Sequence, residues 1–294
     1  MLSPPPDFTD DDLVSALARH WRVRASTVTY RAVGFGSHHW QVDTGWFATV
    51  DEEPDFPRLS AALRSASDVP VAIAPVPTRL GEPLARAGRF AVALYPFVDG
   101  ESFDWDDYRD AEHRRAVLDM VVAVHRTPTT HAFTEDFATP ELSTIGDAGP
   151  YSRPAAELLA RHAPAVDHLR TRYEALTRKA DRTRFVLTHG EPHAGNTMLT
   201  PNGWRLIDWD TALIAPPERD LWHLEPPNPQ DTYDALDAYE ATTGIRPNRD
   251  MLDLYRLHWD LTDLAEITRD FSRPHTGTPN DDENWTILQN LLPV

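Results

Sequence analysis

Residues 27 to 50, "TVTYRAVGFGSHHWQVDTGWFATV", alternate apolar and polar side chains and are broken twice, at Gly34-Phe35-Gly36-Ser37 and at Thr44-Gly45. A period of two interrupted by glycine turns reads as three short strands. Beyond residue 105 the period changes. Leu118, Val121, Val122 and His125 fall on one helical face, and Leu158, Leu159 and Leu169 belong to a second segment ending near Lys179. A chain that is sheet-like at its start and helical afterwards is restricted to an α+β fold.

The remaining punctuation refines this reading. A helix is expected over 7–20, capped by Asp7 or Thr9, with Leu13, Leu17 and Trp21 on its inner face. A short helix is expected over 57–67, and further strands around Ala72 and from Phe90 to Tyr95. "YPFVDGES" then reads as a connector, punctuated by Pro96 and Gly100. Phe185 to Leu187 is a short apolar strand, and residues 229–243 and 250–272 are helical. A β-rich lobe, residues 1–95, thus precedes a mainly helical lobe, residues 96–294.

With 294 residues, 41% apolar and 25% charged, the chain can bury a large core. Its net charge of −18 argues against nucleic acid or an anionic membrane as main partner. The charge suits a small cationic substrate, and equally suits solubility alone. No apolar run is long enough to span a bilayer. The opening "MLSPPPDFTDDDL" lacks the basic start and apolar core of a signal peptide. Without cysteine there is no disulfide framework and no thiolate chemistry, which fits a cytoplasmic location.

The chemistry concentrates in "HGEPHAGN", His189 to Asn196, and "IDWD", Ile207 to Asp210. Between them "NTMLTPNGWRL" reads as a hairpin turning at Pro201-Asn202-Gly203. A three-residue turn pairs Thr200 with Trp204 and so Asn196 with Asp208. An amide oxygen and a carboxylate then stand side by side, the oxygen donors a Mg²⁺ ion takes together with phosphate and water. Glu191 on the same rim is placed to accept a proton from a substrate hydroxyl.

This block resembles the aminoglycoside phosphotransferase family, whose catalytic loop reads His-Gly-Asp, then Asn five positions after the Asp, then Ile-Asp. "HAGN", "DWD", "PPERDLWHL" and "PHTGT" (Pro274 to Thr278) are most similar to its spectinomycin kinase branch. The resemblance spans most of residues 30–285 and implies a bilobal, protein-kinase-like fold. It implies ATP or GTP as co-substrate and transfer of the γ-phosphate to a hydroxyl of a cationic aminoglycoside- or aminocyclitol-like compound. Gly34, Gly36 and Ser37 would cover the phosphates, and Leu94, Tyr95 and Phe97 would meet the base through their backbone. Asn196 and Asp208 would hold Mg²⁺. Glu191 would act as base and His189 would serve the catalytic loop, more as a brace than as a reactant. Asp220 would brace the same loop. His193 stays open between the two roles, and Asp210 between a metal neighbour and a polar strand end.

Two positions depart from the pattern. Glu191 stands where the family has Asp, adding a methylene. Thr49 occupies the third-strand position that carries a phosphate-binding Lys in kinases, and the helix over 57–67 has no Glu to pair with one. The sole lysine is Lys179, so Arg31, Arg58 or Arg64 would have to supply the charge. In the helical lobe Asp260, Asp263, Glu266 and Asp270 share one helix face, a surface suited to ammonium groups or simply a solvated face. Two alternatives stay beside this reading. One is a silent kinase-like fold that binds a ligand or partner. The other is a metabolic kinase for choline, homoserine or a sugar, with Trp204, Trp209, Trp222 and Trp259 available for an aromatic cage.

Overall fold

The computed structural model describes residues 1–34, 36–105, 107–224 and 234–292. It forms two compact units, Met1–Glu135 with Arg182–Pro247, and Asp136–Asp181 with Asn248–Val294. In chain order the first unit contains α1 (Asp10–Trp21), β1 (Val28–Arg31), β2 (His38–Val42), β3 (Trp46–Glu52), α2 (Phe56–Ala66), β4 (Leu84–Ala87), β5 (Phe90–Pro96), β6 (Glu101–Ser102) and α3 (Ala111–His125). The second unit supplies α4 (Ser152–Thr177). The chain returns to the first with β7 (Val186–Thr188), β8 (Thr197–Thr200), β9 (Gly203–Leu206), β10 (Leu213–Ala215), α5 (Glu218–Leu221) and α6 (Ala235–Thr243). It ends in the second with α7 (Arg249–Phe271) and α8 (Pro279–Leu291).

The helix expected near the start is α1. Thr9 caps it, its hydroxyl accepting the Asp12 N–H while the Asp12 carboxylate accepts the Thr9 N–H. Leu13 and Leu17 are fully buried, each contributing about 2 kcal/mol of apolar transfer. They pack with Phe8 on Trp40, Val42, Ala48, Val50, Val92 and Leu94, one face of an antiparallel sheet of order β1-β2-β3-β5-β4. Strand alternation sends His39, Phe47, Thr49, Asp51, Ala93 and Tyr95 to the opposite face. Half of every strand is thereby spent on core, and the other half makes a polar wall.

Three expectations are corrected. The strand expected around Ala72 is only an isolated bridge to Leu206, because Pro70, Pro75 and Pro77 remove donors around it. The fourth strand is β4, which the sequence reading passed over. The helix expected over 229–243 begins at Ala235 behind an Asp234 cap, and 229–233 lie outside the described residues. The hairpin register is shifted by one: Thr200 pairs with Gly203, Met198 with Arg205 and Thr197 with Leu206. Gly203 adopts φ 93, so the return strand starts one residue earlier than a three-residue turn allows. Asn196 consequently lies opposite Ile207, whose N–H donates to its carbonyl at 3.0 Å, rather than opposite Asp208.

In the second unit α4, α7 and α8 bury Ala155, Leu158, Leu264, Ile267, Phe271 and Leu288 together. "PHTGT" is a joint here. The His275 ring accepts the Tyr151 N–H at 3.1 Å, and Thr278 caps α8. No helix of the described residues is long and apolar enough to cross a membrane.

Candidate functional site

The loop after β7 is tied down at every backbone group from His189 to Glu191. Asp220, fully buried on α5, accepts the His189 N–H at 2.9 Å and the Gly190 N–H at 2.6 Å. Thr211 donates to the His189 carbonyl and His223 Nε2 to that of Gly190. The Glu191 N–H donates to His189 Nδ1, and the Asn196 amide donates to the Glu191 carbonyl. Such pairing satisfies every backbone group from His189 to Glu191 and holds that part of the loop in one conformation. Gly190 adopts φ 107, and a Cβ there would collide with the Arg219 guanidinium and the Thr211 hydroxyl.

Asp220 also accepts from His125 Nε2 at 3.0 Å, and Tyr239 donates to His125 Nδ1 at 2.9 Å. Burial alone would raise the Asp220 carboxyl, but the His125 hydrogen bond and the His125, His189 and Arg219 neighbours hold it below the usual carboxylate range. His189 is fully buried, and its Nε2 donates to the Ile207 carbonyl. Burial pushes the imidazole down to about 4. With both nitrogens spent on backbone it cannot exchange protons with substrate. His189 thus spends one ring nitrogen on Ile207 and the other on Glu191, beside the carboxylate with which it was grouped.

At the rim the loop presents Glu191 and Asn196. Both hydrogen bonds of Asn196 use its amide nitrogen, to the Glu191 carbonyl and to His193 Nε2, which turns its oxygen away from them. Asp208 follows β9 in left-handed backbone, φ 64. Its carboxyl is pushed well up, first by desolvation and then by the Asp210, Glu191 and Asp51 charges. Burial raises the Asp210 carboxyl as well, against a hydrogen bond with Asp208 that lowers it. Asp51 on β3 rises to about 6, chiefly by burial, and accepts from Ser37. Among the described residues no group of three His, Cys, Asp or Glu side chains forms a ready metal cage. The donor set fits a hard cation that takes an amide oxygen and a carboxylate from protein and the rest from phosphate and water.

The sheet's polar wall carries the other expected positions. Gly34 and Gly36 take φ 67 and 83 in the β1–β2 turn. Ser37 is turned toward Asp51. Thr49 hydrogen-bonds the Tyr95 hydroxyl, and Tyr95 stands near Asp208, Asp51 and Asp210. Leu94 faces the core, and its carbonyl accepts the Val76 N–H. Phe97 donates its N–H to Gly45. These two backbone groups are therefore already engaged within the protein. Arg64 pairs with Glu82, whereas Arg31 bonds the neutral Gln41 on the polar wall.

In the second unit Asp263 is pushed up to about 7, first by burial and then by Glu266 and Asp260. Asp260 rises by burial as well. Asp270 accepts from Asn284 of α8 and so serves packing. A carboxyl raised in the folded state gives up stability as pH climbs from about 4 through about 7. Asp263→Asn should therefore melt a few degrees higher than wild type at pH 8.5, by a smaller margin at pH 5, and no higher below about pH 4. Equal melting at both pH values would remove the charge crowding.

His193, left open in the sequence, gathers two neighbours that were not read from it, Trp105 and His223. His193 Nε2 lies 4.0 Å from the Glu191 carboxylate. Trp105 stacks on His193 with ring centroids 3.6 Å apart, and His223 lies 5.9 Å from His193. Their partners are distant in sequence, and "FDW" carries no signal beyond an apolar residue in a loop. The four tryptophans considered for a cage serve other contacts: Trp209 is fully buried, Trp204 stacks on His113, Trp222 packs on His223 and Trp259 bonds Asp263.

Comparison with known proteins agrees with this geometry. The profile of the Phosphotransferase enzyme family matches residues 27–274. Protein StrN of Streptomyces griseus is 31% identical over 261 residues, covering 79% of this chain and 74% of the relative. The structure of a spectinomycin phosphotransferase with ADP and spectinomycin superposes with a TM-score of 0.71 at 18% identity, over 97% of this chain and 94% of that one. A macrolide 2'-phosphotransferase from Brachybacterium faecium gives 0.55 at 20% identity, over 97% and 98%. The expected α+β kinase-like fold is the fold observed.

Proposed function

Because the chain belongs to the Phosphotransferase enzyme family and is thus an enzyme of phosphoryl transfer to an alcohol, we propose that it moves the γ-phosphate of ATP or GTP to a hydroxyl of a small cationic aminoglycoside- or aminocyclitol-like compound. The observation that carries this reading is the convergence of Glu191, Asn196 and Asp208 at the end of a fully braced loop. The similar protein solved with ADP and spectinomycin supports the ligand classes. In this reading residues 1–95 cover the nucleotide, and residues 96–294 supply the catalytic groups and the acceptor's site.

Glu191 takes the proton of the acceptor hydroxyl as that oxygen bonds the γ-phosphorus and the bond to the β-phosphate oxygen breaks, releasing nucleoside diphosphate. Asn196 and Asp208 would hold Mg²⁺, which would supply charge neutralisation at the transferred group. Gly34, Gly36 and the hydroxyls of Ser37, Thr49 and Tyr95 face the phosphates where a lysine would otherwise stand. The acid groups Asp260, Asp263 and Glu266 attract the acceptor's ammonium groups. Asp270 is engaged by Asn284 and contributes charge at most.

Calorimetric titration tests the reading. ATP or GTP should bind in a Mg²⁺-dependent manner, and Glu191→Gln should bind nucleotide normally while losing about 10²- to 10⁴-fold in kcat. Absence of binding of both nucleotides at millimolar concentration would point to a silent fold. Undiminished turnover in Glu191→Gln would move the base elsewhere.

A further inference from the structure

Trp105 is large, apolar and 41% exposed, an arrangement that leaves aromatic surface in water. Its ring is held at 3.6 Å against His193 and at 6.1 Å from His223. His193 is in turn fixed by the Asn196 amide at 3.1 Å, and its Nε2 lies 4.0 Å from the Glu191 carboxylate. The indole therefore stands one imidazole away from the proposed base, in register with the proposed metal ligand. Space for the stack is reserved by Gly195: a Cβ there would press on the His193 ring at 3.2 Å and on the Trp105 backbone at 3.4 Å.

Building on the phosphotransferase reading, we propose that the Trp105 indole, backed by His193, is the platform on which the acceptor is laid beside Glu191, and that it selects a saturated polyhydroxyl ring carrying an ammonium group. An indole face attracts the C–H face of such a ring and attracts a cation through its quadrupole. His193 does not oppose the cation, because its Nε2 accepts the Asn196 amide N–H at 3.1 Å and so carries no proton. Glu191 beside it adds a negative charge. The Asn196 bond occupies His193 Nε2, so the platform is set by the same amide that turns its oxygen toward the metal position. Ring acceptors gain from the platform, while an acyclic amino alcohol has no ring face to lay on it.

The test compares wild type, Trp105→Ala and Trp105→Phe with Mg²⁺ and nucleotide, using spectinomycin, kanamycin and the acyclic 1-amino-2-propanol as acceptors. Trp105→Ala should raise KM for the ring acceptors at least about tenfold. Nucleotide affinity measured without acceptor should change less than about twofold, and Trp105→Phe should recover most of the loss. An unchanged ring-acceptor KM in Trp105→Ala overturns the platform, as does an equal loss of nucleotide affinity, which would mark a merely structural role. A wild type that binds Mg²⁺–nucleotide but phosphorylates neither ring compound overturns the proposed ligand class. A wild type that binds no nucleotide overturns the phosphotransferase reading itself and the platform with it.

Discussion

Asp208→Ala is expected to abolish turnover, with kcat falling at least about a thousandfold, the scale of losing a metal ligand worth several kcal/mol in the transition state. The same substitution should leave the protein folded. Asp208 sits among Asp210, Glu191 and Asp51, and its carboxyl is pushed up by desolvation and by those charges. Removing it relieves repulsion that no nearby lysine offsets. Against that gain stands its backbone at φ 64, which Asp tolerates better than Ala by about 1 kcal/mol. Asp208→Asn keeps the backbone preference and loses only the charge, so it should melt higher than Asp208→Ala at pH 8 while being equally inactive. Thermal denaturation and initial rates, measured side by side, check both halves. Turnover within tenfold of wild type in either variant would exclude Asp208 from the metal position.

The second large effect belongs to Asp220→Ala, which should destabilise the first unit by about 3–5 kcal/mol and silence catalysis together. Three donors converge on this carboxylate, from His125, His189 and Gly190, inside a site with no exposure. Truncation strands all three without water. A melting temperature lower by on the order of 10 °C is the expected reading. Because the Asp220 carboxyl is held low in the fold, its contribution is present above the unfolded carboxylate range near 4 and is lost as pH falls below it. The gap between wild type and Asp220→Ala should therefore narrow on acidification from pH 6 to pH 3. A gap that stays constant would mean the carboxylate is not the source of the stability.

Local spacing made the catalytic block readable. Glu191, Asn196 and Asp208 are set by a loop and a hairpin that lie within twenty residues of one another, so sequence order approximates spatial order. The hairpin also marks the limit of such reading. Pro201-Asn202-Gly203 serves equally as a three-residue turn or as a two-residue turn with Gly203 opening the return strand, and the structure takes the second, with Gly203 at φ 93. His125 and Tyr239 brace Asp220 from 95 and 19 residues away, and Trp105 reaches His193 from 88 residues away. No local periodicity announces a contact of that kind. Strand β4 was passed over because "LARA" is short and barely alternates, while the proline-flanked run near Ala72 is more apolar yet pairs only through an isolated bridge to Leu206.

The wall formed by Thr49, Tyr95 and Asp51 has a practical consequence for anyone surveying nucleotide-binding proteins chemically. Acylating nucleotide probes report on kinases by marking the strand lysine beside the phosphates. Here that position is a hydroxyl, and the single lysine, Lys179, sits in the other unit paired with Asp250 at 2.9 Å. On the proposed reading, in which this wall faces the nucleotide, a lysine-directed label would leave it unmarked, and the protein would pass through such a survey as a non-binder.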